Sequence, residues 1–164
     1  TSGGASVGKH DVIAKVMQTE ATSALNFWRI AMRPGKPLIF GNIHATPILG
    51  LPGNPVSTGV CAMVFAATAI KALTGQDLSH NWGMPLRQGR LATALNANDQ
   101  RQDYMRASLA YDTDGTPMLT PFTKQDSGMM KLFTTADALI IRAPFAAPAA
   151  VGDVVTFLPI PASV

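Results

Sequence analysis

The chain has 164 residues, 47% of them hydrophobic and 14% charged, with a formal net charge of +3. This composition belongs to a folded chain of one ordinary domain or two small ones, and it excludes a disordered one. A single cysteine, Cys61, excludes an intrachain disulfide and fits a reducing, cytoplasmic setting.

The charge is unevenly spread. Residues 1–83 carry six basic and three acidic side chains, whereas residues 84–164 carry seven of each, so the whole excess lies in the first half. No lysine–arginine run or aromatic interleaving accompanies it, which argues against nucleic acid and for a small anionic ligand. The longest apolar run, residues 56–70, is interrupted by Ser57, Thr58, Gly59 and Thr68. It falls short of the roughly 20 residues a membrane span needs and reads as a core helix, with no membrane partner. No signal-peptide pattern opens the chain.

The chain begins inside a glycine-rich loop, Thr1-Ser2-Gly3-Gly4-Ala5-Ser6-Val7-Gly8. Such loops follow a buried strand. None precedes this one, so the sequence reads as a piece of a longer polypeptide. Val12, Ile13, Val16 and Met17 then recur on one helix face. Residues 26–32 and 37–43 read as strands joined by the turn Arg33-Pro34-Gly35-Lys36, and 48–51 as a short buried strand. The strongest helix start follows: Asn54 can cap, Pro55 suits the first helical position, and Gly75 can end the helix after Leu73. This succession argues for a layered α/β unit. Residues 79–85 read as a linker. Beyond it, 87–95, 102–111, 117–123, 138–143 and 153–158 read as strands, with a hairpin turn at Asp112-Thr113-Asp114-Gly115 and a short helix over 128–135. Five short strands predict a small barrel or sandwich.

Two of the glycine- or proline-punctuated loops lead into helices, whose free N–H groups and positive dipole ends suit an anion. Asp11 is placed either to hold magnesium beside ligand phosphates or to complement the helix dipole. Arg29 and Arg33 share one side if the strand persists, and with Lys36 they form either an oxyanion cluster or a solvated basic turn. Ser57 sits in a first helical turn, free to meet an anion or its own backbone. It lacks the surroundings of a nucleophile, since no G-x-S-x-G motif or His/Asp partner accompanies it. His10 and His44 lack zinc-site spacing. Arg101 and Asp103 share a strand face, where pairing between them is the plain expectation. Asp126 or Ser127 is placed to cap the next short helix.

The set T-S-G-G-x-S-x-G-x-x-D (Thr1 to Asp11), R-P-G-K-P (Arg33 to Pro37) and G-L-P-G-N-P-V-S (Gly50 to Ser57) resembles the MoeA-type molybdopterin molybdotransferases, a family that includes the gephyrin E domain. The segments 101–106 and 125–128 are similar to that family's C-terminal domain, so the resemblance covers nearly the whole chain. It implies an α/β fold. Residues 1–78 would be the later half of a three-layer molybdopterin-binding domain (domain III), and 84–164 a C-terminal β-barrel (domain IV). The implied reaction inserts molybdenum from molybdate into adenylylated molybdopterin, giving molybdenum cofactor and AMP, with Mg2+ required. The implied assembly is a homodimer, with molybdopterin adenylyltransferase and molybdoenzyme apoproteins as further partners. The earlier domains being absent, the chain alone is expected to be inactive.

Carried over by motif, Asp11 resembles the acidic residue near magnesium, and Arg33 and Lys36 the basic pair near molybdate and the pterin phosphate. Arg33 stands where many members have lysine. Gly3, Gly4, Ser6 and Arg29, then Pro52, Gly53, Asn54, Pro55 and Ser57, fall in the substrate loops. Arg101 and Ser127 resemble barrel residues that close the oxyanion pocket. Asp126 replaces a glycine of the common Q-G-S-G. Two alternatives stand beside this reading: a molybdopterin adenylyltransferase, whose domain stands alone without a following barrel, and a gephyrin-like scaffold that anchors receptors.

Overall fold

A computed structural model describes residues 1–3, 12–19, 23–126, 128 and 130–161. Helix α1 (Val12–Thr19) lies on an antiparallel sheet of β1 (Ser23–Trp28), β3 (Ile39–Ile43) and β4 (Thr46–Gly50), in the order β1-β3-β4. Ile13 and Met17, one helical turn apart, face that sheet and pack around Ile39. The first residues join the sheet's edge through a parallel bridge between Ser2 and Leu51.

The strand expected over 26–32 does not persist. It stops at Trp28, and Arg29 takes a φ of +67°, which turns the chain out of the first sheet. The next strand, β2 (Met32–Arg33), pairs in parallel with a strand of the second sheet, Met32 opposite Gln102 and Arg33 opposite Asp103.

Asn54 caps helix α2 (Pro55–Cys61) as expected, its side chain accepting the Ser57 N–H at 3.2 Å. The helix continues through a π-helical turn (Ala62–Ala66) into α3 (Ala67–Leu73), and Gly75 follows at φ +74°. Val56, Ser57, Val60, Cys61 and Val64 are buried, but no residue of α3 is. The expected core helix is therefore a core helix over its first part only. By length and composition the 19 residues from Pro55 to Leu73 are apolar enough to cross a membrane, with a mean hydropathy of 1.7. Here the buried part packs on the following strands.

Those strands are β5 (Arg87–Leu91), β6 (Gln102–Tyr111), β7 (Pro117–Pro121), β8 (Ala138–Arg142) and β9 (Val154–Pro159), with helix α4 (Met130–Thr134) between β7 and β8. They pair in the order β6-β7-β5-β9-β8, and β8 pairs back onto β6, closing a five-stranded barrel. The β6–β7 turn is built by the Asp112 carboxylate, which accepts the N–H groups of Asp114 and Thr116 at 3.0 and 2.8 Å.

Alternation along the barrel strands sorts two cores. Met105, Ala107, Ile140, Val155 and Phe157 fill the barrel. Tyr104, Leu139 and Leu158 point outward and pack with Met32, Leu38, Val60, Cys61 and Val64. Two-sided burial explains why β8 reads as the continuous apolar run Ala138-Leu139-Ile140-Ile141. Gly59 lets helix α2 approach α4 closely, since a Cβ there would lie 2.6 Å from the Phe133 ring.

Two predictions follow from this packing. Leu139 is fully buried in the cluster shared by barrel and helix. Leu139→Ala should lower the unfolding free energy by about 2–5 kcal/mol. The denaturation midpoint followed by Trp28 fluorescence should fall with it, although Trp28 lies in the other sheet. Cys61 is buried, its Sγ lying 3.9 Å from the Gly35 carbonyl oxygen, and burial pushes its thiol up to about 12. An aromatic disulfide reagent at pH 8 should label it only after unfolding. The unfolded thiol ionises first, so its contribution to stability is complete below about pH 9 and fades as pH rises toward 12.

Candidate functional site

The Arg33–Lys36 turn hangs between the two sheets. Gly35, at φ +122°, lies against the buried helix: a Cβ there would come within 2.6 Å of Cys61 Sγ. That close approach sets the turn against helix α2. A cavity of about 360 Å³ results, lined by Arg33, Lys36 and Ser57 from the first region and by Arg101, Gln125 and Asp126 from the barrel region.

Four of the residues singled out in the sequence thus converge: Arg33, Lys36, Ser57 and Arg101. Pro52, Gly53, Asn54 and Pro55 form the loop and first helical position that deliver Ser57. Gly53 also touches the glycine-rich loop, since a Cβ on it would lie 3.7 Å from Gly3. The Ser57 N–H is taken by the Asn54 cap, so the hydroxyl is the group this serine can offer. Gly4, Ser6, Asp11, Ser127 and His10 lie outside the described residues.

Arg29 departs from expectation. It does not line the cavity; its guanidinium lies 4.5 Å over the Trp28 ring, a cation–π contact. The left-handed turn at Arg29 breaks the alternation that would have aligned it with Arg33. The expected Arg101–Asp103 pair is also absent. Arg101 instead clasps Asp99, Nη2 to Oδ2 at 2.7 Å, with its own N–H on Oδ1 at 2.8 Å. Asp103 pairs with Arg33, which also reaches Asp99 at 3.3 Å. The parallel β2–β6 pairing is the cause, because it sets Arg33 directly opposite Asp103.

The cavity is therefore less cationic than its arginines suggest. Both guanidiniums are held by carboxylates, and Asp126 adds another at the wall. Each guanidinium has five N–H donors, so pairing orients it and still leaves donors for a ligand. Asp126 does not cap α4 as expected; its Oδ1 accepts the Gly128 N–H at 2.8 Å, two residues before the helix. Gln125 is held by the β6 backbone, its Nε2 donating to the carbonyls of Arg106 and Phe122 at 2.9 and 2.8 Å. Sequence reasoning missed Asp99 as a member of this network, for no motif contains it. Among the described residues no group of three or more His, Cys, Asp or Glu is placed to hold a metal ion.

The Arg101 hydrogen bonds, with Arg33 nearby, hold the Asp99 carboxyl down to about 2. Asp99 stays ionised as the pH falls through the ordinary carboxylate range, and its contribution to stability, complete above the unfolded value of 3.8, is lost progressively as the pH falls from there to about 2. An NMR pH titration of this carboxyl should give that low midpoint. Arg101→Ala should return it toward the ordinary value of 3.8.

Comparison with known proteins matches both regions of the chain. A family model described as "Probable molybdopterin binding domain" matches residues 1–72, and one described as "MoeA C-terminal region (domain IV)" matches 88–160. The chain is 32% identical over 160 residues to the molybdopterin molybdenumtransferase of Haemophilus influenzae, covering 97% of this chain and 38% of that protein. It is 30% identical over 131 residues to gephyrin of Dictyostelium discoideum, covering 68% of this chain and 18% of that protein. A crystal structure of the molybdopterin biosynthesis MoeA protein from Pyrococcus horikoshii shares the fold, with a TM-score of 0.70 and 23% identity over 91% of this chain and 34% of that one. The chain thus spans well under half the length of these relatives. With the α/β region and the closed barrel each matched in the same order, the chain belongs to the MoeA family, as a counterpart of its C-terminal part.

Proposed function

We propose that this chain supplies the oxyanion-handling part of a molybdopterin molybdotransferase, which moves molybdenum from molybdate into adenylylated molybdopterin with release of AMP. The observation that carries the reading is the convergence of Arg33, Lys36 and Ser57 with Arg101 in one cavity of about 360 Å³. Molybdate is a tetrahedral dianion, and oriented guanidinium, ammonium and hydroxyl donors are the groups that stabilise such charge. In this reading Arg33 and Lys36 act at the reacting oxyanion, while Ser57, Arg101 and Ser127 bind it. The loop from Pro52 to Pro55, with Gly3, Gly4, Ser6 and Arg29, meets the remainder of the nucleotide-linked substrate.

Magnesium belongs to the same proposal, with Asp11 as its carboxylate ligand. Domain limits at 1–78 and 84–164 are part of the same proposal, supported by family matches over 1–72 and 88–160 that fall inside them. A cytoplasmic homodimer is the proposed setting, meeting molybdopterin adenylyltransferase and molybdoenzyme apoproteins. The lone buried thiol fits a reducing compartment. The barrel after the α/β region favours this reading over a stand-alone adenylyltransferase.

Molybdate titration of the purified chain tests the proposal. Arg101→Ala should weaken molybdate binding by roughly ten- to a hundredfold, the value of about 1.5–3 kcal/mol for a lost charge-assisted contact. The melting temperature should barely move, because solvent screens an exposed ion pair such as Arg101–Asp99 and leaves it little weight in stability. A lowered melting temperature with unchanged molybdate binding would make Arg101 structural. Asp126→Gly should act in the opposite sense, tightening molybdate binding by roughly fivefold through removal of a like charge worth about 1 kcal/mol.

A further inference from the structure

A second cavity, of about 400 Å³, opens at one mouth of the barrel and shares Arg33 and Gln125 with the first. Its floor is apolar: Leu95 and Met105 pack there on the barrel core, beside Phe122. Its charged groups are Asp103 on β6 and Arg142 on β8, set opposite each other in the antiparallel pairing and exposed by only 4% and 8%. Arg142 Nη2 donates to the backbone carbonyls of Asn96 and Ala147. Asp103 gives Oδ2 to Arg33, but its Oδ1 is buried with no hydrogen-bond partner among the described residues.

A buried carboxylate oxygen without a donor is rare and calls for one. The surroundings narrow what that donor can be. A cationic ligand would meet two guanidiniums, Arg33 and Arg142, beside a single carboxylate. An anionic ligand would meet the free carboxylate oxygen itself. A neutral group carrying an N–H next to a carbonyl satisfies both sides, giving its proton to Asp103 and its oxygen to Arg142. On a ring, this is the lactam edge of an amino-pyrimidinone. The thioether of Met105 and the ring of Phe122 suit a flat, polarisable body behind that edge. The volume lies in the range of small-ligand pockets, which recur at barrel mouths.

We infer that the barrel mouth binds the pterin head of the substrate, through Asp103 Oδ1 and Arg142, while the oxyanion chemistry takes place in the adjoining cavity across Arg33 and Gln125. The inference rests on the proposed molybdopterin substrate and adds to it a second subsite within this chain. It makes Asp103 bifunctional: one oxygen orients Arg33 and the other reads the ring.

Free pterin, which is fluorescent, is the probe. Fluorescence polarisation with the 164-residue chain should show saturable binding. Thr93→Trp or Ala97→Trp, each placing a large ring at the exposed rim of this mouth, should weaken pterin at least tenfold and leave molybdate titration unchanged. 3-Methylpterin, the same fused ring with the N–H of its lactam edge methylated, should bind at least tenfold more weakly than pterin. Full-strength pterin binding in both folded rim variants, equal binding of the methylated ring, or tighter binding of guanosine, which carries the same edge on a purine, would each overturn the assignment. A chain that binds molybdate but not pterin would overturn it and leave the oxyanion reading standing. A chain that binds no molybdate would overturn the reading beneath it.

Discussion

Two residues, Met32 and Arg33, join the halves of this chain. Their backbone pairs in parallel with Gln102 and Asp103 of the barrel, and their side chains enter separate networks. Met32 enters the shared apolar cluster with Val60, Tyr104 and Leu139, and Arg33 the ion pairs with Asp99 and Asp103. Burial supplies most of the stabilisation here, since apolar area removed from water outweighs partly exposed ion pairs. The ion pairs supply direction. They determine where the guanidinium of Arg33 lies, and so where the wall between the two cavities stands.

The site is electrostatically balanced rather than strongly cationic. Arg33, Lys36 and Arg101 face Asp99, Asp103 and Asp126, so a bound dianion would have to compete with fixed carboxylates. Such balance favours release as well as binding, and it makes geometry matter more than net charge. Oriented donors need no reorganisation when charge develops beside them. Asp126 stands out because it sits in the cavity wall with no salt bridge to an arginine among the described residues, its Oδ1 accepting the Gly128 N–H.

The long helix shows how one element can be half core and half surface. Its first part is covered by the barrel's outer face and by Phe133, while Ile70 and Leu73 farther along are 60% and 74% exposed. The π-helical turn at Ala62–Ala66 marks the change. Such turns shift the register of a helix, and this one separates the buried stripe before it from the exposed residues after it.

Local sequence was enough for much of this. The Asn54-Pro55 helix start, the Asp112–Gly115 hairpin and all five barrel strands were legible, because capping, turn chemistry and alternation act over a few residues. The clustering of Arg33, Lys36, Ser57 and Arg101 was legible only through family motifs, since no local rule brings together residues more than sixty positions apart. Charge partners were beyond reach. Strand alternation paired Arg101 with Asp103 and aligned Arg29 with Arg33, but a left-handed turn at Arg29 and the parallel β2–β6 pairing undid both. Nothing in the sequence marked Asp99 as a partner, or showed that one oxygen of Asp103 would find no partner among the described residues at the barrel mouth. Backbone preferences are set by neighbours along the chain, whereas ion pairs and cavities depend on which strands meet. Only tertiary packing decides that.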